Sequence, residues 1–196
     1  MDVRTYRTRR SGFRMFGYLV ATLLVVSGLV LVGYSFLIRD PFASAAVFEQ
    51  KPPSNPTMTL TVPELQRVDH VPVYDAPESG YDKALHDGVV HVRGTGFPWQ
   101  KVANVYIAGH RVGYPGTRSN LVFWDLNELE KGDKIFLTDA DGTRYTYNVF
   151  EKRVISPDTV SIMRTTKGKH IISLQTCTLP DYSHRLIVQG ELKGKK

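Results

Sequence analysis

The chain has 196 residues, 42% hydrophobic and 22% charged, with 25 Lys+Arg against 19 Asp+Glu and a single cysteine, Cys177. The net charge of +6 is concentrated at the front: over residues 41–196, 19 basic residues meet 17 acidic ones, which excludes the strongly basic face a nucleic-acid partner requires. One cysteine also excludes an intrachain disulfide, so the fold must rest on packing.

In chain order, Arg4, Arg7, Arg9, Arg10 and Arg14 lead into an uncharged apolar run over residues 15–38. At ~1.5 Å per residue such a run extends about 36 Å, enough to cross a hydrocarbon core of ~30 Å. It is longer than the ~7–15 residues usual for the apolar part of a cleaved signal. The basic flank predicts a cytoplasmic tail (1–14), a transmembrane signal anchor (15–38) and an extracellular remainder: a single-pass protein of the cell membrane. Residues 39–57, with Pro41, Pro52, Pro53 and Pro56, read as a linker. The rest of the chain is long enough for one domain with a core of its own, placed at 58–192 before a basic tail at 193–196.

Within 58–192, short strand-like runs alternate with turn signals. They fall at 58–62, 68–74, 88–93, 104–108, 134–138, 144–150 with an extension to 155, 171–176 and 185–192. Asp139-Ala-Asp141-Gly142 is a hairpin signal, because Asp-Gly accepts positive φ. Helical signal is confined to 81–86 and to a turn or short helix over 122–129. The predicted fold class is all-β, a closed barrel or a sandwich with one or two short helices behind the transmembrane helix.

The chemistry points to the last hairpin. Alternation puts Ser173, Gln175 and Cys177 on one strand face, Ile172, Leu174 and Thr176 on the other. On the next strand Arg185, Gln189 and Glu191 form the polar face. Cys177 and Arg185 therefore emerge on the same side at the same end of the hairpin. A cation beside a thiol favours the thiolate and can hold an oxyanion. A nucleophilic thiol also needs a proton partner, and His110, beyond the 104–108 strand and flanked by glycines, is the best placed of six histidines. On pattern alone, a solvated loop histidine remains open. No metal or cofactor is predicted: Glu128, Glu130 and Asp133 read as a charged surface turn, and His86 with His91 lacks further zinc ligands. Trp99, Trp124 and Phe123 read as core.

These segments carry a resemblance. Asn104-Val-Tyr-Ile-Ala-Gly-His110-Arg111 resembles the catalytic-histidine motif of sortases. Leu174-Gln-Thr-Cys177 resembles their TLxTC motif, with Ser173 where threonine is usual, and Arg185 matches the arginine after the cysteine. The Ala-Gly-His-Arg form is similar to class E enzymes of high-GC Gram-positive bacteria, while residues 178–184 differ from the loop of that class. The resemblance implies a sortase-like barrel and a cysteine transpeptidase. It implies cleavage of an LPxTG- or LAxTG-like C-terminal sorting signal between Thr and Gly through a Cys177 thioester. It also implies transfer to an amine of a cell-wall precursor or a pilin lysine, with His110 moving protons and Arg185 holding the oxyanion or the peptide. The partners would be surface proteins bearing sorting signals and the amine acceptor. Thr176, Tyr106, Thr95, Tyr114 and Tyr182 are candidates to line the peptide groove, with ordinary packing or surface exposure the alternative. The residues themselves also leave open a membrane-anchored cysteine peptidase, and a noncatalytic extracellular β-domain that binds wall peptide or carbohydrate.

Overall fold

The computed structural model describes residues 18, 21–31 and 52–196. The chain divides into two units, Met1–Phe48 and Glu49–Lys196. In the first, residues 21–31 are helical. The expected tail (1–14), much of the 15–38 run and most of the linker lie outside the described residues. Among the described residues no helix is long and apolar enough to cross a membrane.

The second unit answers the period-2 pattern with eight strands: β1 (Met58–Thr61), β2 (Val71–Tyr74), β3 (Val89–His91), β4 (Ala103–Ala108), β5 (Lys134–Asp139), β6 (Arg144–Ile155), β7 (His170–Cys177) and β8 (Arg185–Lys195). They close into a barrel in the order β1-β2-β3-β4-β7-β8-β6-β5. Closure leaves no open sheet edge. One helix, α1 (Tyr81–Asp87), and three single 3-10 turns at Glu78–Gly80, Leu126–Glu128 and Val160–Met163 decorate the described domain. Most neighbours are antiparallel, but β2–β3 and β4–β7 are parallel.

The alternating apolar residues form the core. Val105 and Ile107 of β4, Ile172 and Leu174 of β7, and Leu186 and Val188 of β8 are all buried in it. Each such side chain contributes roughly 1.5–3 kcal/mol of burial. The Asp-Gly hairpin forms as expected between β5 and β6, with Gly142 at φ 85° and Asp139 Oδ1 accepting from the Asp141 and Thr143 amides.

Three expectations shift. The 68–74 run yields only β2, because His70 turns at φ 52° and Val68 caps a tight turn into the core. β8 runs to Lys195, paired with Tyr145, so residues 193–195 continue a strand with solvated side chains. Trp124, expected in the core, is 39% exposed, because its neighbour Phe123 takes the inward position.

Candidate functional site

Of three strands that are neighbours in the barrel, β7 and β8 carry Cys177 and Arg185 at one end, and His110 follows two residues after β4. The β7–β8 register runs unbroken from Ile171 opposite Glu191 to Cys177 opposite Arg185. Facing residues in such a ladder hold their Cβ atoms about 4.5–5.5 Å apart. The hairpin loop closes tightly beyond this pair. Thr178 N–H donates to His184 O at 3.0 Å, and Tyr182 N–H donates to Thr178 O at 3.1 Å. Arg185 Nη1 donates to Tyr182 O at 3.0 Å and His184 O at 3.1 Å. Two carbonyls therefore fix the guanidinium, while Nε and Nη2 make no further hydrogen bond among the described residues. Cys177 is half-buried and is the one thiol of the chain.

On the other side of β7, the parallel β4 register pairs Ala108 with Gln175. Two bonds carry it one step further: Gly109 N–H donates to Gln175 O at 3.0 Å, and Thr176 Oγ1 donates to Gly109 O at 2.9 Å. His110 follows directly, two residues past the end of β4. Alternation puts Cys177 and Arg185 on the same outer face of the wall. The imidazole lies over Gly113 and packs edge-on against Tyr114, with ring centroids 6.2 Å apart. Its Nε2 is buried and has no hydrogen-bond partner among the described residues. Burial lowers its pKa from the usual histidine range, with the neighbouring His86 adding to the fall and Asp82 opposing it.

The groove candidates divide. Tyr114 (56% exposed) and Tyr182 (42% exposed) stand at this end, beside His110 and Arg185. Thr176 and Tyr106 do not line a groove: both are buried, at 1% and 0% exposure. Thr176 faces inward, where its hydroxyl ties β7 to β4. Tyr106 is on the outer face, but it is covered and donates its hydroxyl to Gln175 Oε1 at 2.7 Å. Burial pushes that phenol up to about 12, with the charge of Arg185 partly opposing the rise. Thr95 is not brought to the site. Its hydroxyl donates to Val92 O at 2.7 Å and lies 3.1 Å from Nε2 of buried His91, on the inner side of β3.

Two neighbours stand outside the predicted site. His86, on α1, packs edge-on against the Tyr114 ring, with centroids 5.1 Å apart. Its only sequence signal is Asp82 one helical turn earlier, 3.9 Å from its Nε2. Gly113 is the second: an added Cβ would lie 2.6 Å from His110 Cδ2.

A barrel with a cysteine, a histidine and an arginine at the same end of adjacent strands has known relatives. The sortase domain family matches residues 60–193, and the chain belongs to it. Sortase A of Streptococcus agalactiae is 37% identical over 91 residues, spanning 46% of this chain and 36% of that protein. Sortase A of Bacillus anthracis is 36% identical over 94 residues, spanning 47% and 42%. These matches thus cover well under half of the relatives' own length. Among solved structures, "Sortase C1 of GBS Pilus Island 1" aligns with TM-score 0.61 and 26% identity, over 70% of this chain and 64% of that one. Sortase C-1 from Actinomyces oris aligns with TM-score 0.62 and 26% identity, over 76% and 84%.

Proposed function

We propose that the protein is a membrane-anchored sortase. Cys177 is the nucleophile, His110 the proton carrier and Arg185 the oxyanion or peptide donor. The observation that supports this reading is the pairing of Cys177 with Arg185 at the end of β7 and β8, with His110 two residues past the end of β4, the strand on the other side of β7. The Cys177 thiolate attacks the carbonyl carbon between Thr and Gly of a C-terminal LPxTG- or LAxTG-like signal. Negative charge then develops on the carbonyl oxygen, where donors already fixed in place are worth ~2.7–4 kcal/mol. The C–N bond breaks as His110 gives a proton to the departing glycine amine, leaving a thioester. An amine of a cell-wall precursor, or a pilin lysine, then attacks the thioester and loses a proton to His110, and the thiolate leaves. The sum is exchange of one amide for another, with no cofactor in the balance. Proton transfer by a positioned group contributes about 10²–10⁴-fold.

The buried, unpartnered Nε2 of His110 supports its role, since it is poised for a reacting group and not tied to the scaffold. The Ala-Gly-His110-Arg111 form supports a class E-like enzyme. Residues 15–38 serve as the anchor, with the domain extracellular. Holding enzyme, substrate and acceptor at one surface raises effective concentration without new contacts.

The test is incubation of the purified chain with a sorting peptide and an amine. Amide-exchanged product, abolished by Cys177→Ala, is expected. Hydrolysis without exchange would make the protein a peptidase, and full activity in Cys177→Ala would remove the thiol from the chemistry.

A further inference from the structure

The outer face of β4, β7 and β8 below the site is polar yet buried. Asn104, Ser173 and Gln189, one from each strand, are 0%, 0% and 6% exposed. They form a single chain of hydrogen bonds. Gln189 Nε2 donates to Ser173 Oγ at 2.9 Å, and Ser173 Oγ donates to Asn104 Oδ1 at 2.8 Å. With its oxygen taken, the Asn104 amide must present its hydrogens elsewhere. Nδ2 donates to Ile162 O at 2.9 Å and lies 3.4 Å from Arg164 O.

Those carbonyls belong to the connection between β6 and β7, residues 156–169. A connection of this length is uncommon, and this one holds only the 3-10 turn Val160–Met163. Its course is dictated by the register. It leaves the barrel at Ile155, the partner of Arg185, and re-enters at His170, the partner of Ala103 at the far end of β4. It therefore runs from the level of Arg185 to the far end of β4, and Ile162 and Arg164 pass over the outer face at Asn104. A peptide laid along that face toward Cys177 has this segment as a wall.

Burying three polar side chains is costly unless each is bonded, and an apolar trio would pack β4, β7 and β8 without that cost. What the polar trio adds is a directional hold on a segment with no ladder of its own. We infer that Asn104 is a positioning residue for substrate: through Ser173 and Gln189 it holds residues 156–169 as a fixed wall of the peptide groove. The inference rests on the reading of Cys177 as nucleophile.

Asn104→Asp tests it. The change keeps the acceptor for Ser173 and replaces the donor to the segment by a second acceptor facing carbonyl oxygens. Trypsin cleavage after Arg164 and Lys167 under native conditions should accelerate, and KM for a sorting peptide should rise, each about tenfold, as expected for a lost buried hydrogen bond. Alkylation of Cys177 by iodoacetamide should stay within about twofold, because the nucleophile itself is untouched. Ser173→Ala is the milder second variant: it frees the Asn104 amide to rotate and should move trypsin cleavage and KM in the same direction by less. Unchanged trypsin cleavage in both folded variants would overturn the inference. So would alkylation falling in step with peptide turnover, which would make Asn104 a general support of the site. The trypsin arm needs no turnover. A wild-type chain inert toward sorting peptides, with residues 156–169 opened by Asn104→Asp, would therefore sink the functional reading and leave the anchoring role standing.

Discussion

Gly113→Ala puts a single methyl group against the imidazole of His110. The new Cβ would lie 2.6 Å from Cδ2, 2.8 Å from Cγ and 3.1 Å from Cβ of that residue. An ordinary carbon–carbon contact is about 3.5–4.0 Å, so roughly 1 Å must be found. Turning χ1 alone cannot supply it, because the contact includes the His110 Cβ. The glycine backbone is held as well, through the hydrogen bond its N–H donates to Asn120 O at 2.6 Å. The ring is therefore the part that moves, by about the distance at which a misplaced catalytic group costs ~10²-fold. Steady-state transpeptidation of a fluorogenic sorting peptide should show kcat/KM reduced about 10²-fold, with Tm little changed because the collision is in a surface loop. Gly109→Ala is the control of opposite character. Its Cβ would meet Phe123 at 2.6 Å and Val89 at 2.9 Å inside the core. Such overpacking costs about 1–3 kcal/mol and should lower Tm by several degrees. Wild-type kcat/KM in Gly113→Ala, alongside a dead His110→Ala, would refute the argument that the glycine fixes the ring.

Three further outcomes rest on the same geometry. His86→Gln removes a neighbour that helps hold His110 below its usual range, so the His110 pKa should rise; Asp82→Asn removes the opposing influence, so it should fall. NMR titration of the His110 Cε1–H reads both, and shifts of equal sign would refute the assignment. His170 is pushed down to about 4 by burial, with the charge of Lys195 second. The folded state stays neutral there while the unfolded chain, titrating near 6.5, takes up a proton, so stability is full above about pH 6.5 and is lost as pH falls toward 4. His170→Gln should flatten this acid limb of a Tm-versus-pH curve, worth on the order of 1–3 kcal/mol after allowance for solvent. Arg185→Ala should lower kcat by about 10²–10³ with the fold retained, and normal kcat would remove Arg185 from the mechanism.

The strands were readable wherever one face met the core. Alternation at 134–138 and 144–150 gave β5 and the start of β6, and at 171–176 and 185–192 it gave a hairpin whose last pair is Cys177 and Arg185. Nothing local announces the parallel pairing of β4 with β7, which joins Asn104 to Ile171 across 67 positions. His110 could thus be nominated by its glycines but not put beside Cys177. Alternation also tells which face a residue takes without telling what covers that face. Tyr106 is on the outer face and still fully buried, with its hydroxyl on Gln175 Oε1. His86 was invisible for another reason: its position depends on where α1 docks, which no periodicity encodes.

The candidate residues also owe their places to the residues just before them. Cys177 points outward because Thr176 points inward, where its hydroxyl bonds Gly109 O. His110 points outward because Gly109 points inward, packed under Phe123 with no room for a Cβ. Gly109 is also tied to β7 by both its backbone groups, its amide on Gln175 O and its carbonyl under the Thr176 hydroxyl, so β4 and β7 cannot slide past each other by a residue without breaking these bonds. A one-residue slip would send the thiol or the imidazole to the opposite face. Arg185 is fixed by separate means, through the closed 178–184 loop. If Cys177, His110 and Arg185 act as proposed, the paired ends of β7 and β8 and the bonds at Gly109 leave them little freedom to lose when a substrate arrives, which is the condition for positioned groups to lower a barrier.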